Sequence, residues 1–145
     1  MTQFDKRNLS MMMDFYEMTM SHGYFHGGYG DVRVAFDLFF RSVPDKGGYA
    51  VFAGLEHVIE FVENLAFSDA DIDYFRAQNL FSEEFLTFLR GFRFRGDIYA
   101  VPEGTIIYPD EPLMTIVAPI IDAQLIETAV LAQINHQSLI ATKAS

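Results

Sequence analysis

The chain has 145 residues, half of them hydrophobic, with 20 acidic and 10 basic side chains and a formal net charge of −10. This length fits one ordinary domain, and the apolar content excludes an intrinsically disordered chain. The acidity argues against nucleic acid or an anionic membrane as partner, because both reward positive charge. The sequence has no cysteine, which excludes disulfides, thiolate nucleophiles and cysteine-ligated metals.

The two ends of the sequence bear on its cellular context. The first ten residues are polar and include Asp5, Lys6 and Arg7, which does not fit a secretory signal. The longest apolar stretches fall short of the roughly 20 residues that a membrane helix needs, so we expect a soluble, cytoplasmic protein. The last residues suit a helix and carry no capping signal, which predicts that the chain is the front part of a longer protein.

The first predicted element is a helix. Ser10 can cap it, and Gly23 is expected to end it just after residue 21. One face of this helix holds apolar and hydroxyl side chains at helical spacing, namely Met12, Phe15, Tyr16, Thr19 and Met20. Residues 21–30 contain four glycines and are predicted to form a loop.

A strand and three helices are predicted next. Residues 31–41 alternate, with Val32, Val34 and Phe36 on one side, which indicates a strand. A turn is predicted at 44–48 and a short strand at 49–52. The first helix, over residues 55–65, has an apolar face made of Leu55, Val58, Ile59, Val62 and Leu65. The other two helices begin at Ser68 and Ser82, and Gly91 ends the last of them.

The pattern changes to short β-rich runs after residue 92. Three runs, at 97–101, 106–108 and 113–117, predict a small antiparallel meander. Pro119 and Asp122 then open a long helical stretch that is apolar nearly all round, so we expect it to be buried on most sides. Asn135 is a candidate break in this helix, and His136 is expected to be a hydrogen-bonded core residue. The fold class predicted from these elements is α+β.

Residue spacing alone identifies no catalytic motif. The glycines lack the Lys-Ser/Thr end of a phosphate loop, no serine has a histidine partner, and Gly23 separates His22 from His26, which makes a metal site a weak hypothesis. Tyr16, on a helix beside a glycine-rich loop, can stack on a flat ring or pack as a half-buried core residue. Arg41, at the end of an apolar strand, can reach a phosphate or simply cap the sheet edge.

Five stretches of the sequence resemble the N-terminal part of nicotinate phosphoribosyltransferases. They follow one another over nearly the whole chain, as NLSMMMDFYEMTMSHGYF (8–25), AFDLFFR (35–41), YAVFAGL (49–55), GDIYAVPEG (96–104) and LIETAVLAQINHQSLIATKA (125–144). The resemblance implies an N-terminal α+β domain over residues 1–120, with a small, mostly antiparallel sheet and flanking helices. It also implies that residues 121–145 are the opening helices of an irregular α/β barrel that is largely absent from this chain.

The resemblance carries an activity with it. The family joins nicotinate to phosphoribosyl pyrophosphate, giving nicotinate mononucleotide and pyrophosphate, in NAD salvage. ATP hydrolysis is coupled to the step and Mg²⁺ accompanies the pyrophosphate, while no tightly bound cofactor is expected in this chain. Family members are homodimers whose active sites lie at the subunit boundary.

Four residues of this chain match substrate-binding positions of the family. Tyr16 matches the aromatic residue that stacks on the pyridine ring in the neighbouring subunit's site, and Arg41 matches a position near the phosphate end. Thr142 and Lys143 lie where the chain enters the barrel. Both side chains can face the site. The alternative is that Thr142 packs within the helix bundle and Lys143 is solvated. Thr128 stands where quinolinate phosphoribosyltransferases carry an arginine that binds a carboxylate of their diacid, and an uncharged residue there suits a monocarboxylate.

The resemblance also implies which groups are absent from this chain. The histidine that ATP phosphorylates, the main arginine for the nicotinate carboxylate and the phosphoribosyl-phosphate loop all lie beyond Ser145. We therefore expect no catalytic residue here and no turnover by the 145 residues alone. Two alternatives stay open at this point, which are a non-catalytic assembly or binding domain that keeps the fold, and a related transferase that uses nicotinamide.

Overall fold

The computed structural model describes residues 8–43 and 47–145. Within these ranges the helices are α1 (Phe15–His26), α2 (Leu55–Asn64), α3 (Asp69–Ala77), α4 (Glu83–Arg90) and α5 (Ile120–Ala144). The strands are β1 (Arg33–Leu38), β2 (Ala50–Val51), β3 (Asp97–Ala100), β4 (Ile106–Ile107) and β5 (Met114–Pro119). The charged residues Asp5, Lys6 and Arg7 and the centre of the predicted turn, residues 44–46, lie outside the described residues.

The strands form two small antiparallel sheets. One has the order β1-β5-β3, with Ile116 of β5 between Phe36 of β1 and Ile98 of β3, and the other pairs β2 with β4. The fold class is therefore α+β, as predicted. The predicted meander is wrong, because β4 leaves its sequence neighbours to pair with β2. β5 is the most buried of the three runs. It is the central strand of its sheet, so its backbone is hydrogen-bonded to β1 on one edge and to β3 on the other.

Helix α1 begins and ends later than predicted. Asp14, not Ser10, is its N-cap, and the helix passes through Gly23 to His26. Ser10 is buried instead, and its hydroxyl donates to the carbonyl oxygen of Ala66 at 2.7 Å. In the second half of α1, the rings of His22 and Phe25 pack on Phe85 of α4 at centroid distances of 5.1 and 5.5 Å. This packing outweighs the roughly 1 kcal/mol that a glycine costs inside a helix.

The two faces of α1 have opposite surroundings. Glu17 and Met18 are fully buried, whereas Phe15, Tyr16 and Met20 are each more than 40% exposed. The predicted shared face is therefore correct except at Met12, which precedes α1 and packs against the core. The rest of this face is left uncovered by the chain. Burial follows the side that meets α5, which local spacing does not reveal.

The three middle helices follow their capping signals. Ser68 forms a capping box with Asp71, and the hydroxyl of Ser82 accepts a hydrogen bond from Phe85 N at 3.2 Å, so both predicted starts are confirmed. On α2 the predicted apolar face is wrong at one position. Ile59 is 42% exposed, and Phe61 takes its place in the core.

Helix α5 is a single helix of 25 residues that packs against α1, α2 and β1. Asn135 does not break it, and His136 is exposed rather than part of the core, so both predictions are wrong. Its first turns, residues 121–126, are buried on all sides, as predicted, whereas its later turns have an exposed side. Long as α5 is, neither it nor any other helix in residues 8–43 and 47–145 has the length and apolar character to cross a membrane.

Candidate functional site

A cleft of about 570 Å³ lies between the start of α1, the segment after β1 and the outer half of α5. Its wall is mainly apolar, with Leu38 and Leu131 among the lining side chains. Tyr16, Arg41 and Thr142 all line this cleft. Three side chains that the sequence singled out, from three distant segments, are thus brought to one concave surface. Small-molecule sites have this combination of an apolar wall and a few polar groups.

Tyr16 lies at the edge of the cleft with 45% of its surface exposed. Its hydroxyl donates to Oε1 of Glu127 at 3.1 Å. Loss of solvation, followed by the hydrogen bond and the charge of Glu127, raises the pKa of Tyr16 to about 12. The phenol is therefore a neutral hydrogen-bond donor at physiological pH.

Glu127 is itself held at its second oxygen. The side-chain amide of Gln124, which is 3% exposed, donates to Glu127 Oε2 at 2.7 Å. Sequence reasoning missed both residues. The available signal was that the apolar helix α5 carries few charged side chains, since a carboxylate in such surroundings needs partners.

Glu17, the neighbour of Tyr16, crosses to the same turn of α5. Its Oε1 accepts from the backbone N–H of Thr128 at 2.8 Å and from the Thr128 hydroxyl at 2.6 Å, while its buried Oε2 has no hydrogen-bond partner among the described residues. Burial raises the pKa of Glu17, the charges of Glu127 and Asp14 add to the rise, and the two bonds from Thr128 oppose it. Thr128 also lines the cleft, but its single hydroxyl proton is already donated to Glu17.

At the far end of the cleft, two hydroxyl groups of α5 accept hydrogen bonds from the backbone of residues 51–53. Thr142 Oγ1 accepts from Val51 N at 2.9 Å, and Ser138 Oγ accepts from Ala53 N at 3.0 Å. Between these two residues, Phe52 N donates to the carbonyl oxygen of Thr105, just before β4, at 2.9 Å. The Thr142 hydroxyl therefore joins α5 to β2, while the side chain still faces the cleft.

Arg41 and Lys143 have different positions. Arg41 is exposed, just past the end of β1, and lines the cleft. Lys143 is exposed in the last turn of α5 and is not among the cleft-lining residues. The structure thus brings together three of the four predicted site residues and leaves Lys143 outside.

The histidines form a separate cluster. His22 and His26 share a face of α1, with ring centroids 4.5 Å apart, which corrects the expectation that Gly23 separates them. Both contact Ser82, as Ser82 N donates to His22 Nε2 at 3.2 Å and the Ser82 hydroxyl lies 2.8 Å from His26 Nε2. His57 is exposed. In the described part of the chain, no three His, Cys, Asp or Glu side chains come together as a metal site.

Comparison with solved structures defines the class of protein. The crystal structure of human nicotinic acid phosphoribosyltransferase matches with a TM-score of 0.84 and 32% identity, covering 91% of this chain and 27% of that one. A nicotinate-nucleotide pyrophosphorylase from Pyrococcus furiosus, 21% identical with a TM-score of 0.62, shares the fold. The chain is thus an α+β domain of the kind found in phosphoribosyltransferases.

The sequence comparisons narrow this class to one family. The model of the nicotinate phosphoribosyltransferase N-terminal domain matches residues 11–135. Nicotinate phosphoribosyltransferase pncB2 of Mycobacterium tuberculosis is 46% identical over 94% of this chain, and the Bacillus subtilis nicotinate phosphoribosyltransferase is 44% identical over 98%. The chain belongs to the nicotinate phosphoribosyltransferase family. It spans 29% of the length of each of these two relatives.

Proposed function

We propose that this chain is the N-terminal part of an enzyme that joins nicotinate to phosphoribosyl pyrophosphate, giving nicotinate mononucleotide and pyrophosphate in NAD salvage. The observation that carries the proposal is the family match over residues 11–135 together with the cleft that holds Tyr16, Arg41 and Thr142. In this proposal residues 1–120 form the N-terminal domain, residues 121–145 begin the barrel, and the remaining catalytic groups lie beyond Ser145.

Each cleft residue has a chemical task in this reaction. The Tyr16 ring stacks on the electron-poor pyridine, an interaction worth about 1 kcal/mol beyond burial. The Arg41 guanidinium pairs with a phosphate of the second substrate, which its fork of donors suits. Thr128 leaves the wall uncharged and, with its proton given to Glu17, does not donate to a second substrate carboxylate. The acid, nicotinate, rather than the amide is the proposed substrate because the matched relatives carry that name.

The active enzyme is proposed to be a cytoplasmic homodimer with shared active sites. The face of α1 that presents Phe15, Tyr16 and Met20 is apolar and more than 40% exposed at each of these residues. A second subunit that covers this face would bury its apolar surface, and each Å² buried contributes about 25 cal/mol of favourable free energy. The Tyr16 ring would then enter an active site formed jointly by this cleft and the second subunit.

ATP and Mg²⁺ are proposed to act through the remainder of the enzyme. Mg²⁺ needs several oxygen ligands, usually carboxylates together with substrate phosphates. The part of the chain that the structure describes gathers no three acidic or histidine side chains at one point, so it does not fit a metal site of its own.

Variants of the full-length enzyme test the assignment of Tyr16. Tyr16→Ala should raise the Michaelis constant for nicotinate by about tenfold or more, because stacking and apolar contact are both lost. Tyr29→Ala is the matched control, since Tyr29 is 61% exposed and does not line the cleft. An unchanged constant for Tyr16→Ala would contradict the proposed role.

Two further assays complete the test. Arg41→Ala should raise the Michaelis constant for phosphoribosyl pyrophosphate, whereas Arg33→Ala, on the exposed side of β1, should leave it unchanged. The 145-residue chain alone, mixed with nicotinate, phosphoribosyl pyrophosphate, ATP and Mg²⁺, should form no mononucleotide. Sustained product would show that the catalytic groups lie within this chain.

A further inference from the structure

We propose that Glu127 is a positioning residue that fixes the orientation of the Tyr16 ring for stacking on the substrate. This inference rests on the proposed function, because it assigns Glu127 a purpose only if Tyr16 contacts the pyridine. Glu127 itself does not line the main cleft. It acts through its hydrogen bond to the phenol.

The need for a positioning group follows from the exposure of Tyr16. A side chain with 45% of its surface open to solvent is not held by packing alone. Stacking requires the ring to lie at a defined place over the substrate, so a side chain that is free to change rotamer loses binding free energy when it is ordered. The phenol bond to Glu127, at 3.1 Å, joins the mobile end of the ring to α5.

Glu127 is built as a fixed acceptor. Its Oε1 receives the phenol and its Oε2 receives the amide of Gln124 at 2.7 Å, so both oxygens are engaged. Gln124 is buried, and it is in the part of α5 whose residues 121–126 are buried on all sides. The carboxylate therefore has a rigid support, which is what a positioning residue requires.

The backbone end of Tyr16 is fixed by its neighbour. Glu17 binds both the N–H and the hydroxyl of Thr128, the residue after Glu127. Two successive residues of α1 thus bind two successive residues of α5. The side chain is held at its Cα end by the Glu17 contact and at its hydroxyl end by Glu127, which fixes the position and long axis of the ring.

A double-mutant cycle in the full-length enzyme tests the proposal. Tyr16→Phe and Glu127→Ala should each raise the Michaelis constant for nicotinate by roughly 3- to 10-fold, the value of one hydrogen bond, and change kcat little. The double variant should be no worse than either single variant, because both remove the same interaction. Glu127→Gln, which keeps an acceptor oxygen, should restore most of the affinity.

The cycle separates failure of this inference from failure of the proposed function. If Tyr16→Ala raises the constant but Glu127→Ala does not, or if the two single effects multiply in the double variant, the positioning role is wrong and the function stands. If Tyr16→Ala has no effect, the stacking role of Tyr16 and the positioning role of Glu127 are both wrong. If the full-length parent enzyme forms no nicotinate mononucleotide, the proposed function itself is wrong.

A spectroscopic titration of the 145-residue chain tests the contact between Tyr16 and Glu127 directly. The difference in tyrosinate absorbance between the parent chain and Tyr16→Phe isolates Tyr16. At pH 11 Tyr16 should be mainly protonated, and Glu127→Gln should shift its midpoint towards the ordinary value of 10. An unchanged midpoint in Glu127→Gln would show that the phenol is not held by Glu127.

Discussion

The carboxylate of Glu17 accepts two hydrogen bonds from Thr128, one from the backbone N–H at 2.8 Å and one from the hydroxyl at 2.6 Å. The two residues are 111 positions apart in the sequence, and their contact joins α1 to α5 beside the cleft. A buried carboxylate without such donors would be strongly unfavourable. The contact therefore sets how α1, which carries Tyr16, lies on α5, and it leads to the first two predictions.

Removing the Thr128 hydroxyl should weaken this contact. Thr128→Val keeps the shape of the side chain and loses one donor to a buried carboxylate, so we expect a loss of about 1–3 kcal/mol in the free energy of unfolding. Urea denaturation of the chain measures it. Thr87→Val is the matched control, because the Thr87 hydroxyl donates to the carbonyl oxygen of Glu83 in its own helix, at an exposed position. This change should alter stability by less than about 0.5 kcal/mol. Equal effects of the two changes would contradict the prediction.

Glu17 should make stability depend on pH. Because its pKa is raised in the folded chain, the folded state keeps a proton that the unfolded state releases above its ordinary value of 4.5. The free energy of unfolding should therefore fall as the pH rises from about 4.5 through the raised pKa of Glu17. Glu17→Gln should remove the fall, so its stability relative to the parent chain should improve with rising pH. Glu63→Gln, an exposed change on α2, is the control, and parallel pH profiles for Glu17→Gln and the parent would refute the prediction.

His22 should have the opposite pH dependence. Burial and the nearby His26 lower its pKa below the ordinary 6.5, and its Nε2 accepts the Ser82 N–H only when neutral. The unfolded chain then binds the proton more readily, so stability is complete above about pH 6.5 and is lost as pH falls through the folded pKa. We expect His22→Gln to flatten the stability profile below about pH 6.5, while the exposed His57→Gln leaves it unchanged. The same slope in His22→Gln as in the parent chain would disprove this.

Arg95 supplies the countercharge and hydrogen bonds that stabilise the buried carboxylate of Asp122. This carboxylate is fully buried and receives Arg95 Nη2 at 2.9 Å and the Arg95 backbone N–H at 2.9 Å. Arg95→Met should lower the free energy of unfolding by about 1.5–3 kcal/mol, because a buried charge loses its countercharge. Arg33→Met, which breaks an exposed pair with Asp97, should cost less than about 1 kcal/mol. Thermal and chemical denaturation of both variants decide between these values.

Gly23 offers a gain in stability. It lies inside α1 with helical neighbours, and a Cβ there would have no atom within 4 Å. Gly23→Ala should raise the free energy of unfolding by about 0.5–1 kcal/mol through its helix propensity. Gly104→Ala is the contrasting control, since Gly104 has a φ of +82° and the change should cost about 1–2 kcal/mol. A loss of stability in Gly23→Ala would show that α1 does not continue through this residue.

Parts of the candidate site were predictable and parts were not. The resemblance pointed to Tyr16, Arg41 and Thr142, and the fold places all three on one cleft. Glu17 and Glu127 were missed because they were two among twenty acidic residues. Only the packing of α1 on α5 shows that one is buried and the other holds the phenol.

The sequence by itself determined the features that depend on neighbours along the chain. The caps at Ser68 and Ser82, the alternation in β1 and the α+β class all follow from contacts within a few residues. Only the tertiary structure decided that β4 pairs with β2, that α1 passes through Gly23 and that the face of Tyr16 is the open one. These features depend on which distant surfaces meet, because the free energy of burial and of strand pairing is gained between segments that local propensity treats separately.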